Sequence, residues 1–187
     1  VIFSASSPNC TVNTANAPCF RINFATYTHT VTMSQTIVVS GDSITLGSGM
    51  TVAGSSSMAY NGTAGVFNSN GKVWPNAFSF SPASAPTIQI IGGNNFIIGG
   101  TININTYAAV INNTTSEAFE VRGNLTCVGS AAMTGTAPVL FSGTSTLIGW
   151  IGNTVNVNTA GSVNLGTVST AAVIGGSGNT FTYTAVS

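Results

Sequence analysis

The chain has 187 residues, of which 43% are hydrophobic and only 3% are charged, and its formal net charge at pH 7 is zero. An ordinary soluble domain has about 25% charged residues, so this surface must consist mainly of uncharged polar side chains. The composition argues against a nucleic-acid-binding protein, which needs a basic surface, and against a disordered chain, which combines low hydrophobicity with high net charge.

The mean hydropathy of +0.40 is high for a protein with so many polar side chains. A membrane-spanning helix requires about 20 consecutive apolar residues, and here Thr, Asn, Ser or Gly interrupts every apolar run. We therefore predict no membrane span.

The N-terminal region indicates a secreted protein. The chain begins at Val1, without a basic segment followed by an apolar one, which is typical of a mature protein after removal of a signal peptide. Extracellular proteins carry glycans on Asn-x-Ser/Thr triplets. We therefore expect an extracellular, cell-surface protein with glycans as covalent partners, and the candidate glycosylation sites are Asn9, Asn61, Asn112, Asn113 and Asn124.

Three cysteines bear on the same question. Cys10 and Cys19 enclose a short segment and are predicted to form an intrachain disulfide if the chain turns back between them. Cys127 is then left over, either as an intermolecular bridge or as a buried, inert thiol. The chain has one histidine, His29, and no Cys-x-x-Cys spacing, so no metal site or cofactor is predicted.

The secondary structure is predicted to be almost entirely β. Helix-forming Glu, Lys, Arg and Gln are scarce, whereas Thr, Val and Ile recur between frequent glycines. The alternation shifts by one residue between Phe24 and Tyr27, which predicts a bulge or corner at Ala25-Thr26. Alternating apolar and polar residues predict strands at 20–24, 43–46, 78–80, 87–90, 101–105, 154–158, 162–165 and 180–184.

One short motif suggests catalysis. The run from Val38 to Thr45 contains Gly41-Asp42-Ser43 and resembles the first block of the GDSL serine hydrolases, in which the matching Ser43 is the nucleophile. That family also needs a C-terminal Asp-x-x-His pair and helices around a parallel sheet. The chain has no Asp after Asp42 and no His after His29. We therefore interpret the motif as a turn between strands and predict no catalytic residue.

The chain is predicted to form one domain over residues 1–187, with a looser lobe or loop rich in Ser, Pro and Gly at about 54–86. The second half repeats a loose unit of a Gly-containing turn and a short strand, at uneven spacing. Such units favour stacked β-arches or a β-solenoid, and an aligned β-sandwich is the third architecture that fits.

Two side-chain groups suggest contacts with a partner. Glu117, Glu120 and Arg122 form the only charged cluster. They are interpreted as a surface ion pair or as residues that fix the register of a contact between subunits. The aromatic residues Trp74, Trp150, Tyr60 and Tyr107 are candidates for a sugar-stacking platform, which gives a second functional hypothesis: a carbohydrate-binding or adhesive β-solenoid.

Self-assembly is the main functional hypothesis. Several predicted strands have high β propensity and contain neither charge nor proline, although monomeric β proteins guard their edge strands with such residues. In composition and layout the chain resembles structural proteins of archaeal extracellular sheaths and filaments, in particular the amyloid-like tubular sheath of methanogens. The resemblance implies a homopolymer held together by strand pairing between subunits and cross-linked through cysteines.

Overall fold

The computed structural model describes residues 5–105, 107–128, 131–157, 162–175 and 180–183. These residues form twenty β-strands and no helix, so the described chain contains no apolar helix that would cross a bilayer. In chain order the strands are β1 (Cys10–Val12), β2 (Ala17–Asn23), β3 (Thr30–Met33), β4 (Ile37–Thr45), β5 (Thr51–Gly54), β6 (Met58–Tyr60), β7 (Ala64–Asn68), β8 (Val73–Trp74), β9 (Phe78–Phe80), β10 (Thr87–Ile90), β11 (Phe96–Ile98), β12 (Ile102–Ile104), β13 (Ala109–Asn113), β14 (Phe119–Val121), β15 (Leu125–Cys127), β16 (Ala132–Thr134), β17 (Val139–Phe141), β18 (Ser145–Val157), β19 (Ser162–Gly175) and β20 (Thr180–Tyr183).

The strands stack as a parallel β-solenoid with three faces, since each strand pairs in parallel with the equivalent strand of the next turn. Face A contains β1, β3 and β5 and then β8, β11, β14 and β17. Face B contains the first parts of β2 and β4 and then β6, β9, β12 and β15. Face C contains the second parts of β2 and β4 and then β7, β10, β13 and β16.

The length of a turn varies along the solenoid. In the longer turns on face A, Phe96 pairs with Phe119 of the next turn. Farther along, Val139 pairs with Val155, and the chain between these two partners is clearly shorter. The strands keep their pairing while the corners between them differ in length, which explains why the sequence contains no repeat of constant period.

The core lies inside the coil and is built from the inward half of each alternating strand. Its centre is a cluster of aromatic rings. The ring centroid of Phe67 lies 5.0 Å from that of Tyr60 and 4.9 Å from that of Phe96, and Phe96 continues the cluster to Phe119 at 6.0 Å. Tilted and edge-on rings at such distances stabilise a core beyond the area that they bury.

Two predictions about local structure have opposite outcomes. A corner does follow β2: Ala25 donates its N–H to Asn23 Oδ1 at 2.9 Å, and Tyr27 donates its N–H to Phe24 O at 2.8 Å. The looser lobe at 54–86 is wrong, because this segment contains β6–β9, which pair with the turns before and after it. Its Ser and Pro residues lie mainly at corners, where they do not interrupt the pairing.

Candidate functional site

Glu117 lies buried in the corner between β13 and β14. Its Oε2 accepts the N–H of Thr115 at 2.8 Å, and its Oε1 accepts the N–H of Gly93 at 3.0 Å and the hydroxyl of Thr114 at 3.2 Å. The hydrogen bond from the Thr115 backbone is the main reason that the pKa of Glu117 falls to about 2, against the opposing effect of burial. At neutral pH the carboxylate is therefore charged and accepts hydrogen bonds from two backbone N–H groups and one hydroxyl.

Glu120 is buried on the outer side of β14. It accepts hydrogen bonds from Ser142 Oγ at 2.6 Å, Arg122 Nε at 2.8 Å and Asn95 Nδ2 at 2.9 Å. Burial by itself raises the pKa of Glu120, but the bonds from Ser142, Asn95 and Arg122 outweigh it and the pKa is lowered. We call Glu117, Glu120 and the groups bonded to them the acidic corner.

The acidic corner connects successive turns of the same chain. Gly93 and Asn95 come from the turn before the two glutamates, and Ser142 comes from the turn after them. The hypothesis that Glu117 and Glu120 set the register between subunits is corrected here, because both carboxylates are buried and bonded within the chain. Of the charged cluster only Arg122, whose side chain is 44% exposed, remains accessible to a partner.

The predicted Cys10–Cys19 disulfide is wrong. Cys10 lies in β1 on face A and Cys19 in β2 on face B, and no two of the three cysteines, all of which are described, lie at disulfide distance. Cys127 is 5% exposed and points into the core, where burial raises its pKa to about 12. The intermolecular bridge through Cys127 is therefore corrected as well, in favour of the buried, inert thiol.

The candidate glycosylation sites differ in accessibility. Asn9, Asn61 and Asn124 are exposed. Asn112 and Asn113 are half-buried, and the Nδ2 of Asn113, the atom that a glycan would occupy, donates to Glu117 O at 3.1 Å. The Nδ2 of Asn61 donates to Ser81 O and Tyr60 O, each at 3.2 Å. Glycosylation therefore remains a prediction that is sterically simplest at Asn9 and Asn124.

The motif around Ser43 lies inside β4, where Ser43 pairs with Arg21 and Val66 of the neighbouring turns. Asp42 forms an exposed ion pair with Arg21 at 2.7 Å. Gly41 is required for packing, because a Cβ at this position would lie 2.2 Å from Phe20 O. The predicted turn between strands is therefore wrong, because Gly41-Asp42-Ser43 is a tightly packed segment inside the continuous strand β4.

The prediction of a sugar-stacking aromatic platform is wrong for Tyr60 and Trp74, because both side chains are buried in the core. Tyr107 is exposed, and the side chain of Trp150 lies outside the described residues. Among the described residues, no group of three or more His, Cys, Asp or Glu side chains lies close enough together to hold a metal ion.

A surface cleft on face A was not indicated by the sequence. Its volume is about 440 Å³, and its lining residues are Ser48, Thr51, Val52, Gly71, Lys72, Val73 and Pro75. These residues belong to β5, to β8 and to the corners beside them. The two strands follow each other on face A but do not pair, so the cleft marks an interruption of that face. We call it the Lys72 cleft.

A second, smaller pocket of about 200 Å³ lies at the N-terminal end of the solenoid. Its lining combines apolar Val12, Ala17, Pro18, Cys19 and Ile37 with polar Thr11, Asn13 and Thr14. Within the described chain, no strand lies beyond β1 and β2 at this end. The pocket therefore lies beside the first described turn of the solenoid, and we call it the end pocket.

Comparison of the chain with protein-family models, with curated proteins and with solved structures finds no match.

Proposed function

We propose that this protein is a secreted structural protein that self-assembles through β-strand pairing into an extracellular sheath, tube or filament of the cell envelope. The single observation that carries the proposal is the end pocket beside the first described turn of the solenoid. The core residues Cys19, in the outermost strand β2, and Ile37, in the next turn, line this pocket. An end of this kind favours burial against another surface.

The second copy is the simplest partner for this end, because all the paired strands are parallel. The last described strand, β20, pairs with β19 in the same direction as β2 pairs with β4. A C-terminal edge therefore has the polarity needed to continue the stack onto the N-terminal edge of the next molecule. Such pairing would satisfy the backbone N–H and C=O groups that an edge strand leaves open.

The scarcity of charge supports the same contact between two copies of the chain. None of the residues that line the end pocket is charged, and no charged residue occurs anywhere in 162–183. Monomeric β proteins prevent edge pairing with Lys, Pro or inward-pointing charges. In β2 such protection is limited to Pro18 and the exposed Arg21, which is paired with Asp42, and the sequence of β19 and β20 contains none. An extracellular location is supported by the exposed Asn9, Asn61 and Asn124 sequons.

The test is to place a charge in the end pocket. We expect wild-type protein to form filaments or sheets that are visible in electron micrographs as its concentration rises. Ala17→Lys puts an ammonium among Val12, Cys19 and Ile37 and is expected to raise the concentration required for assembly by about tenfold or more. Ser84→Lys is the matched control, because Ser84 is exposed at a mid-solenoid corner between β9 and β10.

Circular dichroism of the two variants is the control for folding, and we expect both to retain β structure. Wild-type protein that sediments as a monomer at every concentration would contradict self-assembly. Equal assembly of Ala17→Lys and wild type would show that the end pocket is not the contact.

A further inference from the structure

The Lys72 cleft is a preformed opening in face A of the solenoid, between β5 and β8. Parallel strands of neighbouring turns normally lie about 4.8 Å apart and share a ladder of hydrogen bonds. On face A this ladder connects β1, β3 and β5, and it connects β8 with β11, but within the described chain it does not connect β5 with β8. The facing edges therefore present main-chain donors and acceptors to the cleft.

Two asparagines fasten the cleft at its ends. Asn70 Nδ2 donates to Leu46 O at 2.7 Å before the two strands begin, and Asn76 Nδ2 donates to Ser56 O at 2.9 Å after they end. On face C the same two turns remain paired, since Ser43 pairs with Val66. The opening is thus confined to one face and held at a fixed width by its surroundings.

The turn that carries Lys72 is rigid. Asn70 and Gly71 both have positive φ, 48° and 74°, and Lys72 donates its N–H to Ser69 O at 2.8 Å. This is the geometry of a type I′ turn, for which Asn-Gly is the preferred pair. Further bonds from Asn70 N to Asn68 Oδ1 at 2.9 Å and from Gly71 N to Ser69 Oγ at 3.1 Å fix the turn, so Lys72 is held at the wall of the cleft.

Lys72 is the only lysine of the chain, and its charge has no carboxylate partner among the described residues. The chain has three carboxylate side chains. Asp42 pairs with Arg21, Glu120 pairs with Arg122, and Glu117 is buried against backbone N–H groups. A cation without a counter-charge in a preformed cleft attracts an anion.

The remaining lining determines which kind of anion fits. The hydroxyls of Ser48 and Thr51 and the open strand edges bind hydroxyl groups, whereas Val52, Val73 and Pro75 offer apolar contact to C–H surfaces. A single ammonium suits a carboxylate better than a phosphate group, which usually binds several donors. An extended peptide would need a longer strand edge to pair with, since β8 has two residues and β5 has four.

We propose that the Lys72 cleft binds an acidic saccharide, with the carboxylate of a uronic acid on the Lys72 ammonium and the sugar hydroxyls on Ser48, Thr51 and the open strand edges. The volume of about 440 Å³ lies within the range of about 300–1,000 Å³ that is typical of small-ligand sites. The proposal does not depend on self-assembly, because the cleft lies on the side of the solenoid and not at its ends.

The experiment is a calorimetric titration of the whole protein with tetragalacturonate, compared with the neutral maltotetraose. We expect the acidic oligosaccharide to bind, with an affinity that falls as salt rises. Lys72→Gln is expected to weaken binding by about tenfold or more, and Lys72→Arg is expected to retain it. Arg21→Gln is the matched control, since Arg21 is an exposed cation that already has a carboxylate partner.

Equal binding by Lys72→Gln and wild type, equal binding of maltotetraose, or no binding of tetragalacturonate would each overturn the proposal. Tighter binding of tetraglutamate than of tetragalacturonate would overturn the choice of a saccharide in favour of an acidic peptide. Lys72→Gln is also expected to assemble like wild type, so a failure of this proposal remains distinguishable from a failure of self-assembly.

Discussion

The acidic corner and the Lys72 cleft contain most of the charge that is not in the exposed Arg21–Asp42 pair, and they use it in opposite ways. In the acidic corner, Glu117 and Glu120 are buried and each accepts three hydrogen bonds from side chains or backbone. In the cleft, Lys72 is half-buried and has no carboxylate partner within the described chain. The comparison shows two uses of the few charged side chains: the glutamates stabilise the fold through hydrogen bonds, whereas Lys72, without a carboxylate partner, remains available for a ligand.

The difference follows from the cost of burying charge. A buried carboxylate is tolerated only when hydrogen bonds replace its hydration, and in the acidic corner many of these bonds come from neighbouring turns. A half-buried ammonium keeps part of its hydration, so its folded state needs no partner. Removing charge should therefore destabilise the acidic corner strongly and the cleft little.

The largest effect is expected for Glu117→Ala. The substitution removes the acceptor of the N–H groups of Gly93 and Thr115. Both residues are exposed, so water replaces part of these bonds, and we expect the free energy of unfolding to fall by about 1–2 kcal/mol. Urea unfolding measures this difference. Glu117→Gln keeps one acceptor oxygen and should lose less, and a loss of under about 0.5 kcal/mol for Glu117→Ala would contradict the structural role of the carboxylate.

The pH dependence of stability provides the next effect. Because the folded pKa of Glu117 is about 2, below its ordinary value of 4.5, its charged form stabilises the fold fully above pH 4.5. This contribution is lost as the pH falls from 4.5 towards 2. The lowered pKa of Glu120 acts in the same direction. Unfolding free energies measured at pH 7, 4.5 and 2.5 should fall less steeply in Glu117→Gln than in wild type, and equal slopes would contradict the assignment.

The smallest effects are expected for the two cations. Arg122→Gln removes one of the three donors to Glu120 but leaves Asn95 and Ser142 in place, so the expected loss of stability is about 0.5–1 kcal/mol. Lys72→Gln removes a charge without a carboxylate partner and should change stability by under about 0.5 kcal/mol. Thermal unfolding of both variants ranks them, and a larger loss in Lys72→Gln would show that Lys72 has a structural role.

Much of the fold was predictable from local patterns. The prediction of an all-β, solenoid-like chain is confirmed, because alternating residues and frequent glycines leave few alternatives to short stacked strands. The corner at Ala25-Thr26 was predictable for the same reason, since a one-residue slip in alternation must be absorbed somewhere. The sequence could not decide between a solenoid and a sandwich, because the uneven lengths of the corners conceal the repeat.

The functional groups were harder to place, because their roles depend on residues about one turn away. Glu120 is charged and was expected at the surface, yet Asn95 of the preceding turn and Ser142 of the following turn enclose it. Cys10 and Cys19 are close in sequence but lie on different faces, because the segment between them is a corner of the solenoid. The Asn-Gly pair at 70–71 is typical of a turn, but its role as the support of the Lys72 cleft depends on contacts with the preceding turn.

Composition and alternation were sufficient to establish strands, the low overall charge and the scarcity of groups for catalysis, because these properties depend on residues and their immediate neighbours. The stacking of turns established the rest. It buried two glutamates against hydrogen-bond donors, enclosed Cys127 in the core and left β5 and β8 without pairing to each other beside Lys72. Which residues meet across successive turns depends on the unequal lengths of those turns, and this pairing exists only in the folded solenoid.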